Sequence, residues 1–298
     1  MSDQAAPRWH PLHDLPRGAW RDVAGVFTDI DDTLTTEGAI TPDSLAALAA
    51  LRADGVRVVA ITGRPVGWSE AFAIDWPLDA IVAENGAVAL IGHRGQAITD
   101  QSEPLNFIEN GLQRSTNQRE QLSKIYRNDA QTRHANFARL QHVAARVLRE
   151  VPGTTLAQDS PGRETDIAID HSEFAHLSAA QIKQVVALMR AEGLRATVSS
   201  IHINGWIGDH DKWQGARWIA RALLGIDDLA AQQDRWVFIG DSTNDQVMFK
   251  HFTHSVGVAN IAPFVDQLQH MPRYVATSER GAGFAEMAYI LLAERHRS

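Results

Sequence analysis

Apolar positions along the chain follow two kinds of pattern. The stretches "VRVVAIT" at 56–62 and "RWVFIG" at 235–240 are short continuous apolar runs, which are typical of buried strands. In "TPDSLAALAALRADG" at 41–55, leucines recur at near-helical spacing, Pro42 suits the first helical position and Gly55 suits the end. Strand, helix and strand, repeated, predict a parallel sheet with helices on its faces. We therefore expect an α/β fold with a doubly wound, Rossmann-like core.

A different pattern interrupts this core. From about residue 88, a loop-rich stretch at 92–107 precedes a long amphipathic helix at 129–151, and further strands and a helix follow. We expect these residues to form an inserted α+β cap domain at 88–204. The parallel pattern resumes afterwards, so the predicted core comprises residues 21–87 and 205–298.

Two other segments are interpreted as irregular. Residues 1–20 contain three prolines and predict an N-terminal arm laid over the surface. The stretch "GAGFAE" at 281–286 lacks the third glycine of a dinucleotide-binding loop, and we interpret it as an ordinary loop.

Composition and charge narrow the function. The 298 residues include 28 basic and 36 acidic ones, which gives a formal net charge of −8. We therefore expect no nucleic-acid partner, because phosphate-backbone binding requires a basic face. No run approaches about 18 apolar residues and no secretory signal pattern is evident, so we expect no membrane association and a cytoplasmic location. The absence of cysteine excludes disulfides, thiolate nucleophiles and Cys-ligated zinc.

Four polar clusters occur at predicted strand ends or helix starts. They are "DIDDT" after the first strand, "TGR" after the second, "DK" at a helix start and "GDSTND" after "WVFI". Ligands of parallel sheets bind beyond the carboxyl ends of the strands. We therefore expect a single pocket that contains Asp29, Asp31, Asp241 and Asp245, together with Lys212 and Arg64.

The acidic residues of that pocket favour a metal ion. Carboxylates this close repel one another, and each is unfavourable to bury unless a positive charge compensates. Oxygen ligands without matching His or Cys select a hard cation, of which Mg²⁺ is the natural choice, with a substrate phosphate completing its octahedron. The sequence therefore predicts a Mg²⁺ cofactor and an anionic ligand.

The order of these motifs resembles a known family. Asp-x-Asp-x-Thr, Thr-Gly-Arg, a lysine and Gly-Asp-x-x-Asn-Asp follow one another as in the haloacid dehalogenase (HAD) superfamily, and "ENGA" at 84–87 strengthens the likeness. The chain looks like the phosphatase branch with a large C2-type cap, similar to sucrose-, trehalose- and mannosyl-3-phosphoglycerate-phosphatase-type enzymes. The resemblance implies a phosphatase that acts on a small phosphorylated sugar or sugar acid. We expect a monomer or homodimer whose partner is that small phosphorylated metabolite.

The resemblance also implies a role for each motif residue. Asp29 would be the nucleophile that forms an aspartyl-phosphate, and Asp31 would be the general acid and base. Mg²⁺ would be held by Asp29, Asp31 (through its backbone carbonyl) and Asp241, with Asp245 supporting these ligands. The phosphoryl oxygens would be bound by Thr62, the Gly63 amide, Lys212 and Asn244.

Substrate choice is expected to come from the cap, which closes over the leaving group. "IHING" carries two neutral polar residues that face one side of a strand and suit sugar hydroxyls, and the arginine of "GRET" suits a second anionic group. Arg64, the arginine of "TGR", could contact substrate or pack on a neighbouring carboxylate. The candidate contacts are Arg64, Asn85, Arg163, Glu164, His202 and Asn204.

Two other functions remain compatible with these motifs. Phosphomutases share this type of cap, and in them a sugar hydroxyl, instead of water, returns to the aspartyl-phosphate. From a different class, the chain could be a non-catalytic phosphate-binding or regulatory module, although every catalytic position is filled. An assay for free phosphate separates a phosphatase from both.

Overall fold

The protein alternates strands and helices along most of its length. The computed structural model describes residues 9–93, 114–116 and 122–297. The strands are β1 His10–Pro11, β2 Gly25–Thr28, β3 Thr35–Thr36, β4 Ala39–Ile40, β5 Arg57–Ile61, β6 Ala80–Ala83, β7 Val88–Gly92, β8 Arg114–Thr116, β9 Leu122–Tyr126, β10 Thr155–Leu156, β11 Asp166–Asp170, β12 Arg195–Val198, β13 His202–Trp206, β14 Trp236–Gly240, β15 His254–Gly257 and β16 Tyr274–Val275. The α-helices are α1 Pro42–Ala53, α2 Val66–Asp75, α3 Ala130–Glu150, α4 Ala179–Ala191, α5 Lys212–Leu224, α6 Gln246–His251 and α7 Arg280–Arg295.

The chain divides into two compact units. Unit 1 comprises Met1–Ala60 and Asp228–Ser298, and unit 2 comprises Ile61–Asp227, so unit 2 is inserted along the chain between two segments of unit 1. These bounds are not those of the predicted core and cap, and the predicted division at residues 88 and 204 stays a prediction. Part of the predicted loop at 92–107 and the first eight residues of the predicted arm lie outside the described residues.

A parallel sheet forms the centre of unit 1. Its strand order is β1-β16-β15-β14-β2-β5, and each of these neighbouring pairs is parallel. Every residue of β2 and β14 is buried, as expected for a sheet covered on both faces. Phe27 of β2 lies opposite Phe238 of β14 in the register, and its ring centroid is 4.9 Å from that of Trp236. The apolar run that predicted β14 therefore lies in the buried core of unit 1.

The described part of the N-terminal segment belongs to this sheet. Residues His10 and Pro11 form β1, which pairs with Tyr274 and Val275 of β16 at the sheet edge. Leu12 and Trp20 are completely buried. The segment predicted as an arm thus contributes an edge strand and two core side chains.

Helix α7 corrects one sequence interpretation. The stretch "GAGFAE", interpreted as a loop, forms the first turns of α7, which begins at Arg280. Its glycines permit close packing with α1: a Cβ at Gly281 would lie 2.6 Å from the Thr41 hydroxyl and 2.7 Å from that of Ser44. The loop interpretation was wrong because the packing of small residues outweighed their low helix propensity.

Unit 2 contains two antiparallel arrangements of strands. One has the order β6-β7-β9-β8, and the other has the order β10-β11-β13-β12. Helices α3 and α4 cover one face of the second sheet with a continuous apolar core that includes Leu140, Val143, Val185 and Met189. The predicted α/β fold with a parallel Rossmann-like sheet and an α+β part is confirmed.

The opposite face of the second sheet is polar. In β11, Ile167 and Ile169 join the apolar core, so Asp166 and Asp170 lie on the other face because side chains alternate along a strand. In β13, Ile203 joins the same core, which places the candidate residues 202 and 204 on the polar face. Among the described helices, none has the length and hydropathy of a membrane-spanning segment.

Candidate functional site

Asp29 lies directly beyond the carboxyl end of β2, and its side chain is buried. Its backbone N–H donates to the carbonyl of Ile239 at 2.9 Å, which extends the pairing of β2 with β14 by one residue. The hydroxyl of Thr28 donates to the Asp29 carbonyl at 2.7 Å. The two central strands of unit 1 therefore fix the position of Asp29.

The turn after β14 positions two more carboxylates. Asp245 Oδ2 accepts hydrogen bonds from the backbone N–H groups of Asp241, at 3.0 Å, and Ser242, at 3.2 Å. A glycine is required at position 240, because a Cβ at Gly240 would lie 2.5 Å from Asp245 Oδ2. Asn244 is buried in the same turn and accepts from the Ser242 hydroxyl at 2.9 Å. Asp245 thus stabilises the turn that carries Asp241.

Three buried carboxylates meet in unit 1. One carboxylate oxygen from each of Asp29, Asp241 and Asp245 lies within 4.8 Å of the other two, and the three residues are 4%, 1% and 0% exposed. Negative charges this close and this buried are unfavourable unless a cation compensates. All three donors are hard carboxylate oxygens, so the group fits Mg²⁺ better than a soft metal. We call these residues the acidic triad.

Asp31 does not belong to the acidic triad. Its side chain is partly exposed, whereas the clustered carboxylates in the described part of the chain are buried. Its predicted contact with a metal is through the backbone carbonyl, and a partly exposed carboxylate can exchange protons with water. Its roles as ligand and as general acid and base stay predictions.

The predicted phosphate-binding residues Thr62, Gly63 and Lys212 lie in unit 2. The hydroxyl of Thr62 accepts a hydrogen bond from the Arg64 N–H at 3.0 Å, which leaves its own proton available to donate elsewhere. Lys212 is the first residue of α5 and is only 2% exposed, which is unusual for a lysine. Their contact with phosphate stays a prediction.

Comparison with known families identifies the chain. A model of haloacid dehalogenase-like hydrolases matches residues 26–287, a span that contains all four sequence motifs. The chain belongs to this family. This match confirms the HAD resemblance that the sequence motifs indicated. Comparison with curated protein sequences gave no match.

Several solved structures share the fold. The sucrose-phosphatase of Synechocystis sp. PCC6803, solved with sucrose and phosphate, is 14% identical with a TM-score of 0.59, over 91% of this chain and 98% of that one. A sugar phosphatase of HAD subclass IIB is 15% identical with a TM-score of 0.53, over 92% and 98%. A trehalose-6-phosphate phosphatase related protein is 14% identical with a TM-score of 0.53, over 90% and 96%. At these identities the likeness is one of fold.

In this HAD-like hydrolase, the candidate substrate contacts of unit 2 form one buried network. Arg163 donates to the Gly63 carbonyl at 3.0 Å and to Asp166 at 2.8 Å, and Asn204 donates to the same two residues at 3.2 and 3.3 Å. Asn85 Nδ2 also donates to Asp166, at 3.4 Å. Two side chains therefore hold the Gly63 carbonyl, and with it the peptide group between Gly63 and the next residue.

The remaining candidates are paired with residues that the sequence did not single out. Arg64 contacts Asp159 at 3.2 Å and Glu173 at 3.1 Å, so this arginine packs on neighbouring carboxylates. His202 Nε2 lies 2.9 Å from Glu173 Oε2. Glu164 accepts from Lys124 at 3.0 Å and from the Tyr126 hydroxyl at 2.8 Å. Sequence reasoning missed Asp159 and Glu173 because both lie in loops without a motif, far from Arg64 along the chain.

Glu84, the first residue of "ENGA", has a structural role that the sequence did not reveal. It is completely buried, and its carboxylate accepts hydrogen bonds from the backbone N–H groups of Val66, Glu164 and Thr165 and from the Thr165 hydroxyl. Burial raises the pKa of Glu84. It also has a positive φ of 49°, as does Asn85 with 57°. Through these hydrogen bonds, Glu84 links Val66, at the start of α2, to Glu164 and Thr165, just before β11.

We expect Glu84→Gln to lower the free energy of unfolding by about 2–3 kcal/mol, because the amide nitrogen would face buried donors that the carboxylate accepts. Chemical denaturation measures this loss. Glu286→Gln is the control: Glu286 also accepts two backbone N–H groups, from Thr277 and Ser278, but is only partly buried, so its loss should be smaller. Equal losses in the two variants would contradict the structural role of Glu84.

The pair of Glu173 and His202 predicts an acid-sensitive contact. The hydrogen bond from His202, with help from Arg64, lowers the pKa of Glu173 to about 2 from its ordinary value of 4.5. A lowered pKa in the folded state stabilises the protein above the unfolded pKa, and this stabilisation is lost as the pH falls from about 4.5 to about 2. The melting temperature of the wild type should therefore exceed that of Glu173→Gln at pH 6, and the difference should shrink towards pH 2. A difference that is independent of pH would contradict the ion pair.

Proposed function

We propose that the protein is a magnesium-dependent phosphomonoesterase that hydrolyses a small phosphorylated sugar or sugar acid through an aspartyl-phosphate intermediate. The acidic triad is the observation that supports this most strongly. Its residues follow two adjacent parallel strands of a HAD-like hydrolase, and three buried carboxylates this close suit a divalent cation. A dication in an acidic protein also explains how an anionic substrate is accepted.

In this proposal, Asp29 and Asp31 perform the chemistry. A carboxylate oxygen of Asp29 attacks phosphorus, and the bond from phosphorus to the leaving oxygen breaks as Asp31 protonates that oxygen. Asp31 then takes a proton from water, whose oxygen attacks phosphorus, and phosphate leaves with Asp29 regenerated. When bound, Mg²⁺ would neutralise negative charge on the phosphoryl group.

The other motif residues bind and orient in this proposal. Asp241 would hold the cation with Asp29, while Asp245 keeps the turn of Asp241 in place. Thr62, the Gly63 amide, Asn244 and Lys212 would bind the phosphoryl oxygens. Lys212 suits this role because the transition state spreads charge over the equatorial oxygens.

The network of unit 2 refines the proposed substrate contacts. Arg163 and Asn204 both donate to the Gly63 carbonyl, so we assign them to positioning of the residue 63 loop rather than to substrate. His202 contacts the partly exposed Glu173, so it is the better candidate for contact with the leaving group. The sugar phosphatases of similar fold agree with a sugar as the leaving group.

A screen of phosphorylated metabolites for Mg²⁺-dependent phosphate release tests the proposal, followed by kcat/KM on the best substrates. We expect a sugar or sugar-acid phosphate to be hydrolysed best. Isomerisation without phosphate release, dependent on a bisphosphate activator, would instead identify a mutase. No turnover of any phosphate ester with Mg²⁺ would favour a non-catalytic phosphate-binding module.

A further inference from the structure

The turn that follows β2 contains a residue in a backbone conformation that side chains rarely adopt. Asp32 has a φ of 54°, which lies in the left-handed region. In the same turn, the Ile30 carbonyl accepts the backbone N–H groups of Leu34, at 2.9 Å, and Thr35, at 3.0 Å. A left-handed conformation is unfavourable and persists only where neighbouring groups hold it. Because Asp31 directly precedes Asp32, the groups that hold Asp32 also set the orientation of Asp31.

Asn260 is placed to hold Asp32 in this conformation. Its Nδ2 group donates to the Asp32 carbonyl at 3.0 Å, and its Oδ1 atom accepts from the backbone N–H of Arg280 at 2.8 Å. Arg280 is the first residue of α7 and has a φ of 51°. One amide side chain therefore supports two unfavourable backbone conformations that lie far apart in the chain.

The segment that carries Asn260 is itself bonded to a central strand of unit 1. The backbone N–H of Val258 donates to the Gly240 carbonyl at 3.1 Å. Gly240 is the last residue of β14 and directly precedes Asp241 of the acidic triad. Asn260 therefore connects the turn of Asp32 to the same strand end that carries Asp241.

A second contact of Asp32 is of a different kind. Its carboxylate lies 3.3 Å from Arg280 Nε, and the two side chains are 22% and 35% exposed. Ion pairs with this exposure contribute little to stability. The hydrogen bond from Asn260, in contrast, acts on the main chain and fixes the peptide group that follows Asp32. Substitutions can remove these two contacts separately.

We infer that Asn260 is a positioning residue for Asp31, the proposed general acid; this inference rests on the proposed function. With Asp32 held in the left-handed conformation, the Asp31 carboxyl faces the leaving oxygen and gives its proton to that oxygen as the bond to phosphorus breaks. Without Asn260, Asp32 relaxes towards a negative φ, which rotates Asp31 and weakens the proton transfer. Attack by Asp29 is not affected, because the pairing of β2 with β14 fixes that residue.

Two phosphate esters that differ in their need for an acid test this inference. A sugar alkoxide must be protonated as it leaves, whereas p-nitrophenolate is a stable anion. We measure kcat/KM at saturating Mg²⁺ for the best sugar phosphate of the screen and for p-nitrophenyl phosphate. Asn260→Ala and Asn260→Asp should lower it at least roughly tenfold for the sugar phosphate and less than about threefold for the aryl ester. Asn260→Asp retains an acceptor for the Arg280 N–H and loses only the donor to Asp32.

Asp32→Asn is the matched control. It removes the carboxylate that contacts Arg280 and retains the carbonyl that Asn260 binds, so kcat/KM for both esters should stay within about threefold of the wild type. Equal losses for the two esters in the Asn260 variants would overturn the inference, because unfolding or damage to Asp29 affects both esters alike. Unchanged hydrolysis of the sugar phosphate would overturn it as well. In either case a wild type that releases phosphate upholds the proposed function, whereas a wild type that hydrolyses neither ester would refute both.

Discussion

Asp29→Asn should reduce kcat by at least roughly 10³-fold while leaving the fold intact, because an amide oxygen is a poor nucleophile for phosphorus. The substitution is nearly isosteric, and the backbone bonds from Asp29 N–H to Ile239 and from Thr28 to the Asp29 carbonyl do not involve the changed group. Phosphate release from the best substrate of the screen measures the effect, and circular dichroism checks the fold.

Asp32→Asn is the matched control for this prediction. Asp32 lies three residues further on, its φ of 54° suits asparagine, and its carboxylate contacts Arg280 at 3.3 Å. Loss of that contact should change kcat by less than about threefold, because a partly exposed ion pair contributes little. Turnover of Asp29→Asn at the wild-type rate, or an equal loss in both variants, would refute a nucleophilic Asp29.

Removal of the metal should affect stability as well as activity. With Mg²⁺ at about 100 times its Kd, the wild type should gain about 2.7 kcal/mol relative to the protein in EDTA. Asp241→Asn should gain far less, because it removes one of the three carboxylates that lie within 4.8 Å of one another. Thermal melts with and without Mg²⁺ measure both effects.

The same variant should have the opposite effect in EDTA. Without a cation, the three buried carboxylates of the acidic triad repel one another, and Asp241→Asn removes part of this repulsion. Relief of about 1 kcal/mol would raise the melting temperature by roughly 2–4 °C above that of the wild type in EDTA. A variant that melts lower than the wild type in EDTA and still responds fully to Mg²⁺ would contradict a metal site at the triad. Asp43→Asn, on the surface at the start of α1, serves as the control.

The sequence predicted the features that depend on local pattern. The run around Phe238 predicted a buried strand because fully covered strands are apolar at every position. Asp29 and Asp241 were predicted to lie in one pocket because parallel strands end at the same edge of a sheet. In the structure, one carboxylate oxygen of each lies within 4.8 Å of the other. Serine is a typical helix N-cap, and Ser178 forms a capping box with Gln181 at the start of α4.

Features that depend on long-range partners were not predictable. Nothing near Arg64 indicates that Glu173, 109 residues later, will neutralise it. The importance of Glu84 arises from backbone N–H groups that only the fold brings to it, and no side-chain motif encodes these donors. The sequence around Gly281 predicts a helix break. In the structure, the absence of a side chain at Gly281 instead allows α7 to pack closely against Ser44 of α1. In each case the deciding partner is distant in the chain.

The short strand at His10 and Pro11 has a consequence for handling the protein in solution. An exposed sheet edge is a template for pairing with other chains, and β1 occupies the edge that β16 would otherwise present. Proline has no N–H to offer a further strand, so Pro11 makes the new edge a poorer template than the one it covers. Proteolytic removal of the residues up to Trp20 would uncover the β16 edge and remove the buried side chains of Leu12 and Trp20. It should therefore make the protein prone to aggregation.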